Sequence, residues 1–206
     1  VHISGDLNHV DCRLPVQYVI RPQDDAYHDY RAYAGRIAGG VFRKGDKVMV
    51  LPSGFTSTIK TINAPEGEIK EAFAPMSISL LLDDEIDISR GDMIVRENNS
   101  PQNSQDIDIM LCWLNEKKLQ EGGRYIVKHT SREVRCIVKE ILYKIDISHL
   151  RRIENETSFG VNDIGRVVLR TTQPLFFDSY RRNRNTGSLI LIDEGTNETV
   201  GAGMIV

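Results

Sequence analysis

Short apolar runs, each stopped by a turn after about the length of one strand, leave this chain little room for helices. In the first half VQYVI (16–20), YAGRIAGG (33–40), KVMVL (47–51), TSTIKTI (56–62) and MSISLLL (76–82) are separated or followed by KGD (44–46), PSG (52–54), PEG (65–67) and RGD (90–92). That spacing belongs to small barrels or sandwiches. The second half continues with IDIMLCWL (107–114), RYIVKHT (124–130), EVRCIVKEILYKIDI (133–147), IGRVVLRT (164–171), SLILID (188–193) and TVGAGMIV (199–206). Glu133 to Tyr143 is long enough for a helix, but Val134, Cys136 and Val138 alternate, imperfectly, with Arg135, Ile137 and Lys139, so the segment reads as a strand. Composition agrees: 22 Ile, 16 Val and 10 Thr stand against 8 Ala, and branched side chains pack better on a pleated surface than along a helix. The expected class is all-β.

With 206 residues and roughly 150 per domain, the chain divides most simply into two small barrels. The polar stretch ENNSPQNSQ has nothing to bury and reads as a linker. It places the first barrel at 13–97, the linker at 98–106 and the second barrel at 107–206. Charge changes at the same place: residues 1–103 carry 11 basic and 15 acidic side chains, and residues 104–206 carry 15 and 14.

The net charge of −3 gives no bulk attraction for a polyanion, so nucleic-acid binding loses weight. Cys12, Cys112 and Cys136 are odd in number and widely spaced, which fits neither a disulfide framework nor a zinc ribbon and suits a reducing cytoplasm. No apolar run reaches the roughly 18 to 20 residues of a membrane helix, and no basic-then-apolar leader is visible. The chain opens on Val1, as expected of a piece of something longer.

The chemistry-bearing motifs point mostly to structure. GVFRKG (40–45) has phosphate-loop spacing, but Asp46 stands where Lys should meet the phosphates, Lys47 replaces the magnesium-binding hydroxyl, and strands flank the loop. A barrel turn is the expected reading. Neither D-x-x-G nor N-K-x-D occurs. His2, His9, His28, His129 and His149 are scattered, no G-x-S-x-G elbow exists, and a metal set from His129, Cys136 and His149 lacks ligand spacing. Asp83, Asp84, Glu85 and Asp87 follow an apolar run and read as a solvated turn rather than a cation loop. Arg90-Gly91-Asp92 is a chain reversal. The N-x-[ST] matches at Asn98, Asn155 and Asn197 are idle in a cytoplasmic protein. One basic cluster stands out: Tyr180, Arg181, Arg182 and Arg184 in FFDSYRRNRNTG. Its guanidinium forks suit phosphate or carboxylate, on RNA, a nucleotide or an acidic patch of another domain or protein, or it is simply an exposed loop. Without further aromatics, base stacking is not expected.

Taken together, RLPVQYVIRP (13–22), YRAYAGRIAGGVFRKGDKVMVLPSG (30–54), EAFAPMSISLLLDDEIDISRGDMIV (71–95) and NTGSLILIDEGTNETVGAGMIV (185–206) resemble one family, the large GTPase subunit of bacterial sulfate adenylyltransferase. The phrases LPSG, DEIDISRGD, VGAGM and Y-x-x-N-R-x-T-G before a strand are weak singly and specific together. That subunit is similar to elongation factor Tu, with a GTP-binding domain followed by two barrels, the second and third domains of translational GTPases. The resemblance implies that residues 1–12 are the connector from a GTPase domain outside this chain. GTP and magnesium would be bound in that domain, with no cofactor and no catalytic residue in this fragment. The implied partners are that domain and a small catalytic subunit, which transfers the adenylyl group of ATP to sulfate while GTP hydrolysis drives the step. Some family members continue into a kinase domain for adenylyl sulfate.

The expected role is that of stiff docking and coupling bodies in a heterodimer, with Tyr180, Arg181, Arg182 and Arg184 at a domain or subunit interface, where Tyr and Arg are favoured. Gly201 and Gly203 are expected to allow close backbone approach in the last strand. Two other readings compete. Barrels that hold aminoacyl-tRNA would need a basic, salt-sensitive surface, against which the acidic first half counts. A free-standing interaction module would have no GTPase domain upstream.

Overall fold

The computed structural model describes residues 7–21, 30–149 and 151–206, and no helix occurs among them. The chain forms two compact units, Val1–Pro101 and Gln102–Val206. The first contains β1 (Arg13–Pro15), β2 (Tyr18–Ile20), β3 (Ala32–Arg36), β4 (Val41–Arg43), β5 (Lys47–Leu51), β6 (Thr56–Ala64), β7 (Gly67–Ile69), β8 (Glu71–Phe73), β9 (Ser77–Leu82) and β10 (Met93–Arg96). The second contains β11 (Gln102–Trp113), β12 (Leu119–Gln120), β13 (Arg124–His129), β14 (Arg132–Asp146), β15 (Arg151–Ile153), β16 (Ser158–Phe159), β17 (Ile164–Phe177), β18 (Ser188–Ile192) and β19 (Thr199–Ile205).

In the first unit the antiparallel order is β1-β10-β5-β6-β9-β3-β2. The two end strands are consecutive in sequence. Between them, Val16 N–H donates to Asp92 O beside β10 (2.8 Å) and Gln17 N–H to Ala34 O in β3 (2.9 Å). One extended segment therefore joins both ends of the sheet. Val48, Val50, Ile59, Ile62, Leu80 and Ile94 fill the interior, and Tyr33, buried with them, donates its hydroxyl to Ile86 O (2.7 Å).

Two expected boundaries need correction here. The connector at 1–12 does not stop short of the barrel: Val1–Asp6 lie outside the described residues, but Asp11 and Cys12 are buried in the first unit. The linker at 98–106 is not an idle tether either. Asn99 accepts from buried Arg13 through its main-chain oxygen (2.6 Å) and its side chain (3.0 Å), and its amide donates to Asp11 Oδ1 (3.0 Å). A buried guanidinium demands such partners, and Asn99 supplies them across 86 residues of sequence. Gln102–Asp106 are already strand, because a ladder uses backbone groups and needs no apolar side chain.

The second unit closes on itself: β13-β18-β19-β11-β17-β14 returns to β13, and β15 extends from the far end of β14. Such closure leaves its six barrel strands without a free edge. Ile109, Leu111, Val127, Val167, Leu169 and Leu191 fill the interior. Trp113, also buried, donates Nε1–H to Lys117 O (2.8 Å) and meets Tyr125 edge-on at 5.4 Å. Gly203 faces this interior, where an added Cβ would come within 2.9 Å of Ile109 Cδ1. The ladder of β14 with β17 shifts register between Val138 and Glu140 and again between Ile141 and Tyr143. These bulges, with apolar Ile137 on the outer face, are why the alternation of 133–147 is imperfect. Pro174 lies where β17 has no β11 partner, and Gln105 fills the gap by donating to Thr171 O and Thr172 O (3.3 and 3.1 Å).

Candidate docking interface

The segment from Asp178 to Gly187 links β17 to β18 and carries the whole basic cluster. Its frame is polar and buried: Asp178, Asn183 and Thr186 are each at most 3% exposed. Thr186 Oγ1 donates to Asp178 Oδ2 (2.7 Å). Asn183 Oδ1 accepts from the backbone of Asn185 (2.9 Å) and Thr186 (3.2 Å), a local turn mimic for which Asn is suited. The N–H groups of Arg182 and Asn183 both donate to Ser179 O (2.9 and 3.0 Å). Thr186 O accepts from Nε2 of buried His129 (2.8 Å), which assigns the proton to that nitrogen, since a carbonyl can only accept. Burial pushes the His129 pKa below its usual value, opposed in part by this bond and by the Asp178 carboxylate. Gly187 ends the loop, and a Cβ there would lie 2.4 Å from Tyr180 Cα. Only glycine fits. The bond from Tyr180 N–H to Ile205 O (2.9 Å) and that from Ile205 N–H to Gly187 O (2.7 Å) tie the loop to β19.

The Y-x-x-N-R-x-T-G pattern thus divides by task. Asn183, Thr186 and Gly187 build the frame, while Arg181, Arg182 and Arg184 are displayed in solvent and Tyr180 is half-buried. Arg184 lies 5.9 Å from the Tyr180 ring centroid, at the outer limit of a cation–π contact. Arg181 instead lines a groove of about 540 Å³ with Tyr180, Met110, Tyr143, Arg166 and Met204. Arg166 is pinned by a two-pronged bond to Asp108 (2.8 and 2.6 Å), which raises its pKa further above the usual range.

Other candidate motifs have structural partners. Asp46 Oδ2 accepts from Arg43 N–H (2.9 Å) and from Arg96 (3.2 Å), so the carboxylate that breaks the phosphate-loop pattern holds a turn. Asp84 is bonded to Ser57 (2.8 Å), and Asp92 caps Ser89 N–H (2.8 Å). His149 contacts Asp146 (2.8 Å), whose pKa this contact lowers. Among the described residues no group of three or more His, Cys, Asp or Glu is placed to hold a metal ion. His2 and His28 lie outside those residues.

Comparison with known proteins decides the family. The chain is 50% identical over 207 residues to the bifunctional enzyme CysN/CysC of Mycobacterium tuberculosis, matching 100% of this chain and 34% of that protein. It is 43% identical over 206 residues to sulfate adenylyltransferase subunit 1 of Bacteroides fragilis, matching 100% of this chain and 42% of that protein. The chain is related over its whole length to the sulfate adenylyltransferase subunit 1 family. It spans between about a third and under half of the length of these relatives. The family described as GTP-eEF1A C-terminal domain-like matches residues 106–206 of this subunit 1 relative, close to the span of its second barrel. The fold is also that of sup35 complexed with GDP, with a TM-score of 0.84 over 95% of this chain and 47% of that one at 17% identity. The two consecutive small barrels thus share their fold with that chain, and the second also matches the eEF1A C-terminal domain-like family.

Sequence reasoning found the loop of this subunit 1 chain and missed the groove beside it. Met110, Arg166, Tyr143 and Met204 sit on separate strands, and only the register brings them together. A signal existed in Met110 and Met204, apolar residues at outward positions of alternating strands.

Proposed function

We propose that this chain is the non-catalytic two-barrel portion of the GTPase subunit of a sulfate adenylyltransferase, and that its barrels dock and couple the parts that do the chemistry. The observation that carries the reading is the loop at 178–187, where three arginines and a tyrosine are held outward on a buried frame. A frame of that kind lowers the entropy lost when the arginines meet a partner. The closed second barrel supports it from behind, since strands hydrogen-bonded on both sides resist shear. In this reading GTP and magnesium are bound by a domain of the same polypeptide beyond these residues. A second, smaller subunit transfers the adenylyl group of ATP to sulfate, releasing pyrophosphate and forming adenylyl sulfate. Hydrolysis of GTP drives that unfavourable transfer, and the barrels are the bodies against which the switch domain moves. The three free cysteines suit a cytoplasmic setting.

The test uses the full-length subunit. Arg181→Ala with Arg184→Ala should weaken binding of the second subunit about tenfold or more, as loss of clustered interface arginines does. Unchanged affinity would remove the loop from the interface.

A further inference from the structure

The groove beside the arginine loop has a construction that the loop does not explain. On the outer face of the second barrel Met204 lies opposite Met110, Met110 opposite Arg166, and Arg166 opposite Tyr143. Side chains directly opposite on neighbouring strands touch, so the four form one row across β19, β11, β17 and β14. The outer face of such a sheet ordinarily carries polar side chains. Here Met204 is 43% exposed and Met110 and Tyr143 are half-buried, which leaves an apolar floor open to water. Methionine adapts its unbranched side chain to a partner's shape.

The charge around this floor is one-sided. Among the described residues no Asp or Glu lines the groove, whereas Arg181 does, and the Arg152 guanidinium stands 4.5 Å from the centroid of the Tyr143 ring. Arg166 is already neutralised, because Asp108 gives it both carboxylate oxygens. The uncompensated charge is therefore positive, at Arg181 on one side and Arg152 on the other. Adenylyl sulfate, ATP or RNA would match the charge but leave the methionine floor without a counterpart. A protein segment carrying both apolar and acidic side chains matches both.

Resting on the docking role proposed above, we propose that this groove receives a segment of the second subunit that lays an apolar side chain over Met110 and Met204 and sets carboxylates against Arg181 and Arg152. The groove continues into the arginine loop through Tyr180 and Arg181, so one partner covers both.

The experiment uses the full-length chain and its second subunit. Met204→Glu, on an outward position, places a carboxylate where the apolar anchor would sit, and Arg181→Glu repels the acidic flank. Each should weaken binding by about tenfold or more, with the emission of Trp113 unchanged to show that the barrel is intact. A photo-crosslinking residue at position 204 should join the second subunit at a peptide with Asp or Glu beside an apolar residue. If Arg181→Ala with Arg184→Ala weakens binding while Met204→Glu does not, the groove proposal falls and the docking role stands. If none of these variants weakens binding, both fall. Crosslinking to a basic peptide, to the GTPase domain of the same chain, or to added RNA overturns the proposal.

Discussion

At the end of the arginine loop the hydrogen of Gly187 points at the backbone of Tyr180, which has no alternative place to go. Gly187→Ala should therefore cost about 1–3 kcal/mol, the range for forcing an extra carbon into a packed site. Arg184→Ala, on the exposed side of the same loop, should stay within about 0.5 kcal/mol. Urea unfolding followed by Trp113, the single tryptophan of the chain, measures both. His129 adds a pH dependence of definite sign. Its folded pKa lies below the ordinary value of 6.5 because burial disfavours the imidazolium. Below about pH 6.5 the unfolded chain binds a proton that the folded barrel does not, so stability falls as pH falls, while above that value the contribution is flat. The urea midpoint should decline from about pH 7 to about pH 5, and His129→Gln, which keeps a donor for Thr186 O, should lose this part of the slope. Equal slopes in the two proteins would show that another group titrates.

At the scale of elements, strands whose alternation and turns agree were legible to the residue: KVMVL is β5 from Lys47 to Leu51. Legibility failed where backbone bonding outranked side-chain pattern. Gln102–Asp106 are strand although nothing in them is apolar, and the bulges of β14 change which residues face inward partway along the strand. It failed again where a polar residue serves a distant one. Asn99 resembles any loop asparagine until Arg13 is seen buried beneath it. Asn99→Ala removes the side chain that accepts from Arg13 and Cys12 N–H and donates to Asp11 and should destabilise the first unit by about 1–3 kcal/mol, whereas neighbouring Ser100→Ala should change it by less than about 0.5 kcal/mol. Native-state amide exchange of β10 in the first unit and β11 in the second reads the difference. The β10 amides should exchange faster in Asn99→Ala while those from Ile107 to Trp113 keep their rates. Unchanged exchange in β10 would mean that water replaces Asn99 at no cost.

At the scale of the molecule, two separate cores and a six-strand closed ring give a pair of bodies with no helix among the described residues. The family and the barrel class were legible because several short phrases coincide along most of the chain. The groove was not, because cross-strand register is absent from any single segment. On the function proposed above, the barrels' contribution is mechanical: the arginine loop would carry the state of a GTPase domain to a subunit that makes adenylyl sulfate. The most direct measurement is the number of GTP molecules hydrolysed per adenylyl sulfate formed by the assembled two-subunit enzyme carrying Arg181→Ala and Arg184→Ala. If the arginine loop couples the two parts, this ratio rises severalfold while GTP affinity stays at the wild-type value. A ratio equal to that of the wild-type enzyme, at saturating second subunit, would contradict it.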